Sequence, residues 1–200
     1  QSFTSTDTQE VTGRQLLASL TETGLLNKTD AVTFWKSLSA DEKTTDATNL
    51  STKLVAAGKL TKYQAALVSA GQTEQLLFDD YIVLDRLGGG GMGEVFKAWH
   101  RRLDRVVALK VVRRDALKSA EAIERFQKEV RIAAQLLHPN IVVTYDARER
   151  DGQHFLVMEY VDGEDLGHLV QRHGPLSLSQ SVDCIRQAAA GLAHAHSQGI

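Results

Sequence analysis

The stretch Leu87-Gly88-Gly89-Gly90-Gly91-Met92-Gly93-Glu94-Val95-Phe96, with Val107-Ala108-Leu109-Lys110 after it, decides how this chain folds. Its first part fits the pattern G-x-G-x-x-G-x-V. Glycine lets backbone fold closely over a ligand and turn N–H groups toward negatively charged oxygens. The same letters serve dinucleotide-binding folds, where the loop opens a helix. Here the β-branched and aromatic residues Val95, Phe96 and Trp99 follow, which predicts a strand and weighs against that fold. The phosphate loop that ends in Gly-Lys-Ser/Thr also fails, because Glu94 and Val95 follow Gly93. On the loop alone, a glycine-rich hairpin without a ligand stays open.

Lys110 shifts that balance. Strand alternation puts Ala108 and Lys110 on one face, with Val107 and Leu109 on the other. A lysine on a buried face is costly unless it is paired. Phosphate oxygens are one available partner, and a carboxylate from the next helix is another. That helix is predicted over 120–137, with the apolar stripe Ile123, Phe126, Val130, Ala133 and Leu137. Glu129 lies beside the Phe126/Ala133 edge of the stripe, whereas Glu121 and Glu124 point away. The blander alternative is a solvated edge lysine and a surface glutamate.

Outward from this centre, strands are predicted over 81–87, 94–99, 105–112, 141–145 and 154–160. Leu103-Asp104 and Asp151-Gly152 supply turns. A short helix over 166–173 is closed by Gly174-Pro175. Ser177 and Gln180 have capping-box spacing for a last helix that runs to about Gln198. Strands followed by helices make an α+β plan.

Upstream, residues 1–12 are polar and expected to be disordered. Residues 13–72 read as a helical module. Leu16, Leu20, Gly24, Leu26 and Ala31 recur after a shift of 34 as Leu50, Leu54, Gly58, Leu60 and Ala65. Each copy runs a helix into a glycine cap, then a leucine, then a polar cap: Asn27 or Thr29 in one, Thr61 in the other. The expectation is two helical hairpins packed on each other. The polar stretch 70–75 reads as a boundary before a second domain over 81–200.

Composition narrows the function classes. A formal net charge of −2 gives no general pull toward nucleic acid or anionic lipid. Cys184 is the only cysteine, so no internal disulfide can form. No apolar run approaches the length of a membrane span, and no secretory signal opens the chain. A cytoplasmic location is expected, with an anchor beyond Ile200 left open. The seven histidines show no metal-ligand spacing. The chain opens on Gln1 and is read as part of a longer protein.

Two further motifs complete an ordered set: His138-Pro139-Asn140-Ile141-Val142 and Phe155-Leu156-Val157-Met158-Glu159-Tyr160-Val161-Asp162-Gly163. With them the chain over 81–200 resembles the eukaryotic-type (Hanks-type) serine/threonine protein kinases of bacteria. The helical module is more loosely similar to the leader on kinases of planctomycete-like bacteria. The resemblance implies a five-stranded antiparallel sheet with one long helix, followed by the start of a helical lobe. It also implies ATP and Mg²⁺ as cofactors and proteins as substrates. Lys110 would hold the α- and β-phosphates and pair with Glu129. The amides of Gly88, Gly89, Gly90, Gly91, Met92 and Gly93 would cover the β- and γ-phosphates. Leu87, Val95 and Ala108 would wall the adenine, and Met158 would close the back of its pocket. Glu159 and Val161 would offer backbone groups, and Asp165 would reach the ribose. The bland readings are core packing for the apolar residues and a helix cap for Asp165.

The family's catalytic-loop Asp and Mg²⁺ ligands have no matching positions here, although 191–200 looks like the run-up to that loop. Phosphorylation of Ser or Thr on proteins is the leading expectation. A nucleotide-binding scaffold without transfer is the alternative. A third reading makes 13–72 a docking module for a partner.

Overall fold

A computed structural model describes residues 12–44, 46–91 and 93–200. Of the stretch 1–12 expected to be disordered, Thr12 is instead ordered as the cap of the helix that starts at Gly13, because its side chain accepts the Gln15 amide. The rest of that stretch and the role given to Met92 lie outside these residues. Two compact units divide the chain. One takes the residues up to Arg86 together with Trp99–Asp104, and the other takes Leu87–Ala98 with Arg105–Ile200.

The first unit begins with four helices: α1 (Gly13–Glu22), α2 (Lys28–Ser37), α3 (Ala47–Ala56) and α4 (Lys62–Ser69). The repeat at a shift of 34 is real in three dimensions. Leu16, Leu20, Leu26 and Ala31 are buried, and so are Leu50, Leu54, Leu60 and Ala65. Gly24 and Gly58 both adopt positive φ, 74° and 65°. In the second copy the amide of Lys59 returns to the Leu54 carbonyl at 2.8 Å, and that of Gly58 to Val55 at 3.0 Å. This double bond pattern satisfies the last carbonyls of a helix and needs a left-handed residue at the glycine. Asn27 and Thr61 cap α2 and α4, as the spacing predicts. The caps of α1 and α3, Thr12 and Asp46, meet in an isolated antiparallel bridge. They too are 34 residues apart, so equivalent positions of the two copies pair.

The strands form one sheet in the order β1-β2-β3-β4-β6-β5. They are β1 (Leu77–Phe78), β2 (Tyr81–Gly90), β3 (Gly93–His100), β4 (Arg105–Val112), β5 (Thr144–Arg150) and β6 (Gln153–Glu159). The five expected strands are thus joined by a sixth, two residues long. The largest correction is to the strand expected over 141–145. It runs instead from Thr144 to Arg150, because the turn at Asp151 and Gly152, both at positive φ, fixes the β5–β6 register. Its charged sequence hides it from a hydrophobicity reading.

In the second unit, Val107, Leu109, Phe155 and Val157 are fully buried. Helix α5 (Ala120–Ala133), capped by Ser119, is shorter than the helix expected over 120–137. It stops at Ala134, so Leu136 rather than Leu137 turns inward; Leu137 is 71% exposed. Helices α6 (Leu166–His173) and α7 (Leu178–Ser197) follow, and Ser177 and Gln180 form the expected capping box. The His-Pro-Asn segment anchors α7. Asn140 donates to Gln187 at 3.0 Å, and the His138 and His194 rings stack at 5.3 Å. A Cβ on Gly191 would sit 3.1 Å from the Asn140 carbonyl, so α7 comes close only at a glycine.

Candidate active site

The glycine stretch is the end of β2, from Gly88 to Gly90, with Gly91 and the start of β3 at Gly93, and it makes the wall of a cavity of about 560 Å³. Leu87, Gly88, Gly89, Gly90 and Gly91 line it, with Gly93, Val95 and Lys110. Sequence reasoning named each of these residues, and the structure brings them together. The glycines divide into two kinds. A Cβ added to Gly88, Gly90 or Gly91 would meet nothing within 4 Å. Packing within the chain therefore does not demand glycine there, whereas a ligand held against the backbone would. Gly93 has φ +156°, and a Cβ on it would fall 2.0 Å from the Val111 carbonyl oxygen. Its glycine is required by the fold, to let β3 approach β4.

Lys110 is the only charged side chain among the described residues that line this cavity. Strand β4 places it as alternation requires: Val107 and Leu109 are fully buried on the opposite face, and Lys110 is half-buried. An electropositive group under open backbone amides suits a polyphosphate.

A second cavity, of about 420 Å³, lies on the other side of Lys110, against α5. Lys110, Glu129, Phe126, Val130 and Leu156 are among its lining residues. Glu129 is thus on the face of α5 that the helical period gave it. No ion pair joins Glu129 to Lys110, and neither has a charged partner among the described residues.

The remaining site residues lie on the strand and loop that follow. Met158 pairs with Ala108, and Glu159 with Val107, across β4 and β6. The Glu159 amide donates to the Val143 carbonyl at 2.8 Å, and the Val143 amide returns to the Glu159 carboxylate at 3.3 Å. Val161 is exposed. Asp165 caps α6: its carboxylate accepts the His168 amide at 2.9 Å and also meets the His168 ring. The backbone and ring hydrogen bonds of His168 hold the Asp165 carboxyl below the usual carboxylate range. Asp165 thus serves as the cap that its bland reading gave it, and neither cavity includes Ala108, Met158, Glu159, Val161 or Asp165 among its described lining residues; Ala108 is buried in the core.

One contact had no signal in the sequence. The Lys97 ammonium lies 4.4 Å from the centre of the Tyr160 ring. It ties β3, which carries the Val95 wall, to the segment after β6 by a cation–π contact. Among the described residues, no group of three or more His, Cys, Asp or Glu is placed to hold a metal ion.

The family described as Protein kinase domain matches residues 81–200. The serine/threonine-protein kinase PrkC of Bacillus subtilis is 41% identical over 120 residues, which is 60% of this chain and 18% of PrkC. The serine/threonine-protein kinase pkn3 of Myxococcus xanthus is 40% identical over 60% of this chain and 22% of its own length. The chain thus spans about a fifth of the length of these curated relatives. Among solved structures, the kinase domain of Mycobacterium tuberculosis PknI is 35% identical with a TM-score of 0.54. The match covers 62% of this chain and 51% of that one.

Proposed function

The chain belongs to the protein kinase domain family, and on that premise we propose that the protein transfers the γ-phosphoryl group of ATP to serine or threonine hydroxyls of protein substrates. The observation that carries the proposal is the cavity under the glycine loop. Added Cβ atoms at Gly88, Gly90 and Gly91 would meet nothing within 4 Å, and Lys110 is the only charge among its described lining residues. The relatives' names, serine/threonine-protein kinases, support the substrate class.

In this reading the chain positions the nucleotide. Loop amides donate to the phosphate oxygens, and Lys110 adds a fixed positive charge where negative charge gathers during transfer. Glu129 turns toward Lys110 when α5 closes on the sheet, fixing the ammonium between phosphate and carboxylate. Leu87, Val95 and Ala108 give the adenine an apolar roof, with Met158 behind it. Glu159 and Val161 present backbone groups to its edge, and Asp165 would reach the ribose by releasing the His168 ring from its second carboxylate oxygen. Mg²⁺ is the family's metal and would neutralise phosphate charge, but the described residues supply no cage for it. We also take 13–72 as a docking module and 81–200 as the kinase domain.

The test assays the gene product and its Lys110→Met variant for transfer of labelled phosphate to a generic protein substrate. Transfer is expected from the first and not from the variant. Equal transfer by both would overturn the role given to Lys110. A gene product that binds ATP without transferring phosphate would be a nucleotide-binding scaffold.

A further inference from the structure

Between α1 and α2 of the helical module lies a groove of about 610 Å³. Its apolar lining includes Leu17, Ala18, Val32 and Trp35. Val32 is 46% exposed and Trp35 is half-buried. The exposed Arg14, Lys28 and Lys36 also line it, with Glu22 as the only acid among the described lining residues. None of the three cations has an ion pair among the described residues. Elsewhere in the same module Lys53 pairs with Glu42 and Lys59 with Asp30, each at 2.6 Å.

The internal repeat separates what this fold needs from what the groove adds. Positions that hold the hairpins together match between copies: Leu16 with Leu50, Leu20 with Leu54, Leu26 with Leu60. At the groove the copies part. Thr48, Ala66, Ser69 and Ala70 stand where the first copy has Arg14, Val32, Trp35 and Lys36. Only Lys28 keeps its charge, as Lys62. The second copy forms a hairpin on the matching leucines, with its two helices in closer contact, without the aromatic side chain and without two of the cations. A hairpin of this kind can form without them, and in the first copy they stand along the groove, the cations exposed and Trp35 half-buried, where a ligand could use them.

We propose that the α1–α2 groove docks an acidic peptide segment of a protein partner, with a bulky apolar side chain seated against Trp35 and carboxylates against Arg14, Lys28 and Lys36. This rests on the reading of 13–72 as a docking module and gives it a site and a partner chemistry. An apolar floor supplies affinity, and unpaired exposed cations select by charge and speed encounter.

The experiment titrates the chain into a labelled peptide of alternating glutamate and leucine and reads fluorescence anisotropy. Lysine–leucine and glutamine–leucine peptides are the comparisons. The acidic peptide is expected to bind best, more weakly as salt rises. Arg14→Glu with Lys36→Glu should weaken it at least about tenfold, and Trp35→Ala similarly. The charge reversal is at exposed positions, so it tests the site even if Trp35→Ala unfolds; circular dichroism checks both. Thr48→Glu with Ala70→Glu, the same change in the second copy, should leave binding unchanged. Equal binding of the lysine or glutamine peptide overturns the acidic class and leaves a docking role. Binding of none overturns the groove as a site. Tighter binding after removal of residues 1–11, which carry Asp7 and Glu10, overturns the proposal by making this chain's own N-terminus the occupant.

Discussion

Gln64 donates its side-chain amide to the Val83 carbonyl at 2.7 Å, in a fully enclosed setting where Gln64 is 4% exposed. Beside it the Thr61 hydroxyl donates to the Leu84 carbonyl at 2.5 Å. Strand β1 pairs with β2 only as far as Leu77 opposite Ile82. The carbonyls just past that pairing are taken by the residues that also make the capping box of α4. The module therefore finishes a sheet edge that a two-residue strand leaves short.

Gln64→Leu is expected to destabilise the chain by about 1–3 kcal/mol, since it leaves a buried carbonyl without its donor. The midpoint of urea unfolding reads this. Gln64→Glu should cost at least as much, because a carboxylate there meets the carbonyl without a proton to give. A Gln64→Leu chain as stable as the parent would mean that water replaces the amide.

Gly93→Ala and Gly90→Ala should have opposite effects. At Gly93 the new Cβ collides with the Val111 carbonyl oxygen, so a loss of about 1–3 kcal/mol in stability is expected. At Gly90 the Cβ meets open space, so thermal stability should hold while nucleotide affinity falls. Calorimetric titration with ATP, paired with thermal melts, separates the two.

Lys110→Met in the full gene product should slow phosphoryl transfer by the equivalent of about 2.7–4 kcal/mol while leaving the melting curve in place. Wild-type turnover at saturating ATP would remove Lys110 from its proposed role.

Glu129→Gln should also lower activity, and the Lys110→Met/Glu129→Gln double variant should lose less than the sum of the singles. Lys110 and Glu129 line one cavity without an ion pair here. The coupling would report the closed position of α5 in the working enzyme, and strict additivity would say that the two never meet.

Acid should loosen the helical module. The hydrogen bond from Lys53, with others from Ser39, pulls the Glu42 carboxyl from 4.5 down to about 2. A depressed carboxyl pKa stabilises the fold above its unfolded value, and that contribution is lost as pH falls through the folded one. Asp30, lowered chiefly by its bond to Lys59, acts in the same direction. The helical signal should therefore fall on acidification from about pH 4.5 toward pH 2, and Glu42→Gln should flatten that profile.

The order of elements and most of the cavity are legible in the residues alone. Glycines at fixed offsets, an alternating strand around Lys110, and capping residues at Asn27, Thr61 and Ser177 are local signals. Local physics is enough to read them, because a cap or a strand face depends on residues a few positions away. The structure decided what depends on contacts between distant residues. Hydrophobicity could not find β5, because its pairing with β6 comes from the turn at Asp151-Gly152. The split between Gly93, held by Val111, and its unconstrained neighbours appears only once β4 lies beside β3. Whether Glu129 touches Lys110 depends on where α5 rests, and no residue pattern along the chain encodes that distance. The Gln64–Val83 bond joins residues 19 positions apart. A polar residue in a capping box looks complete on its own helix, so only the tertiary packing could give it a second task.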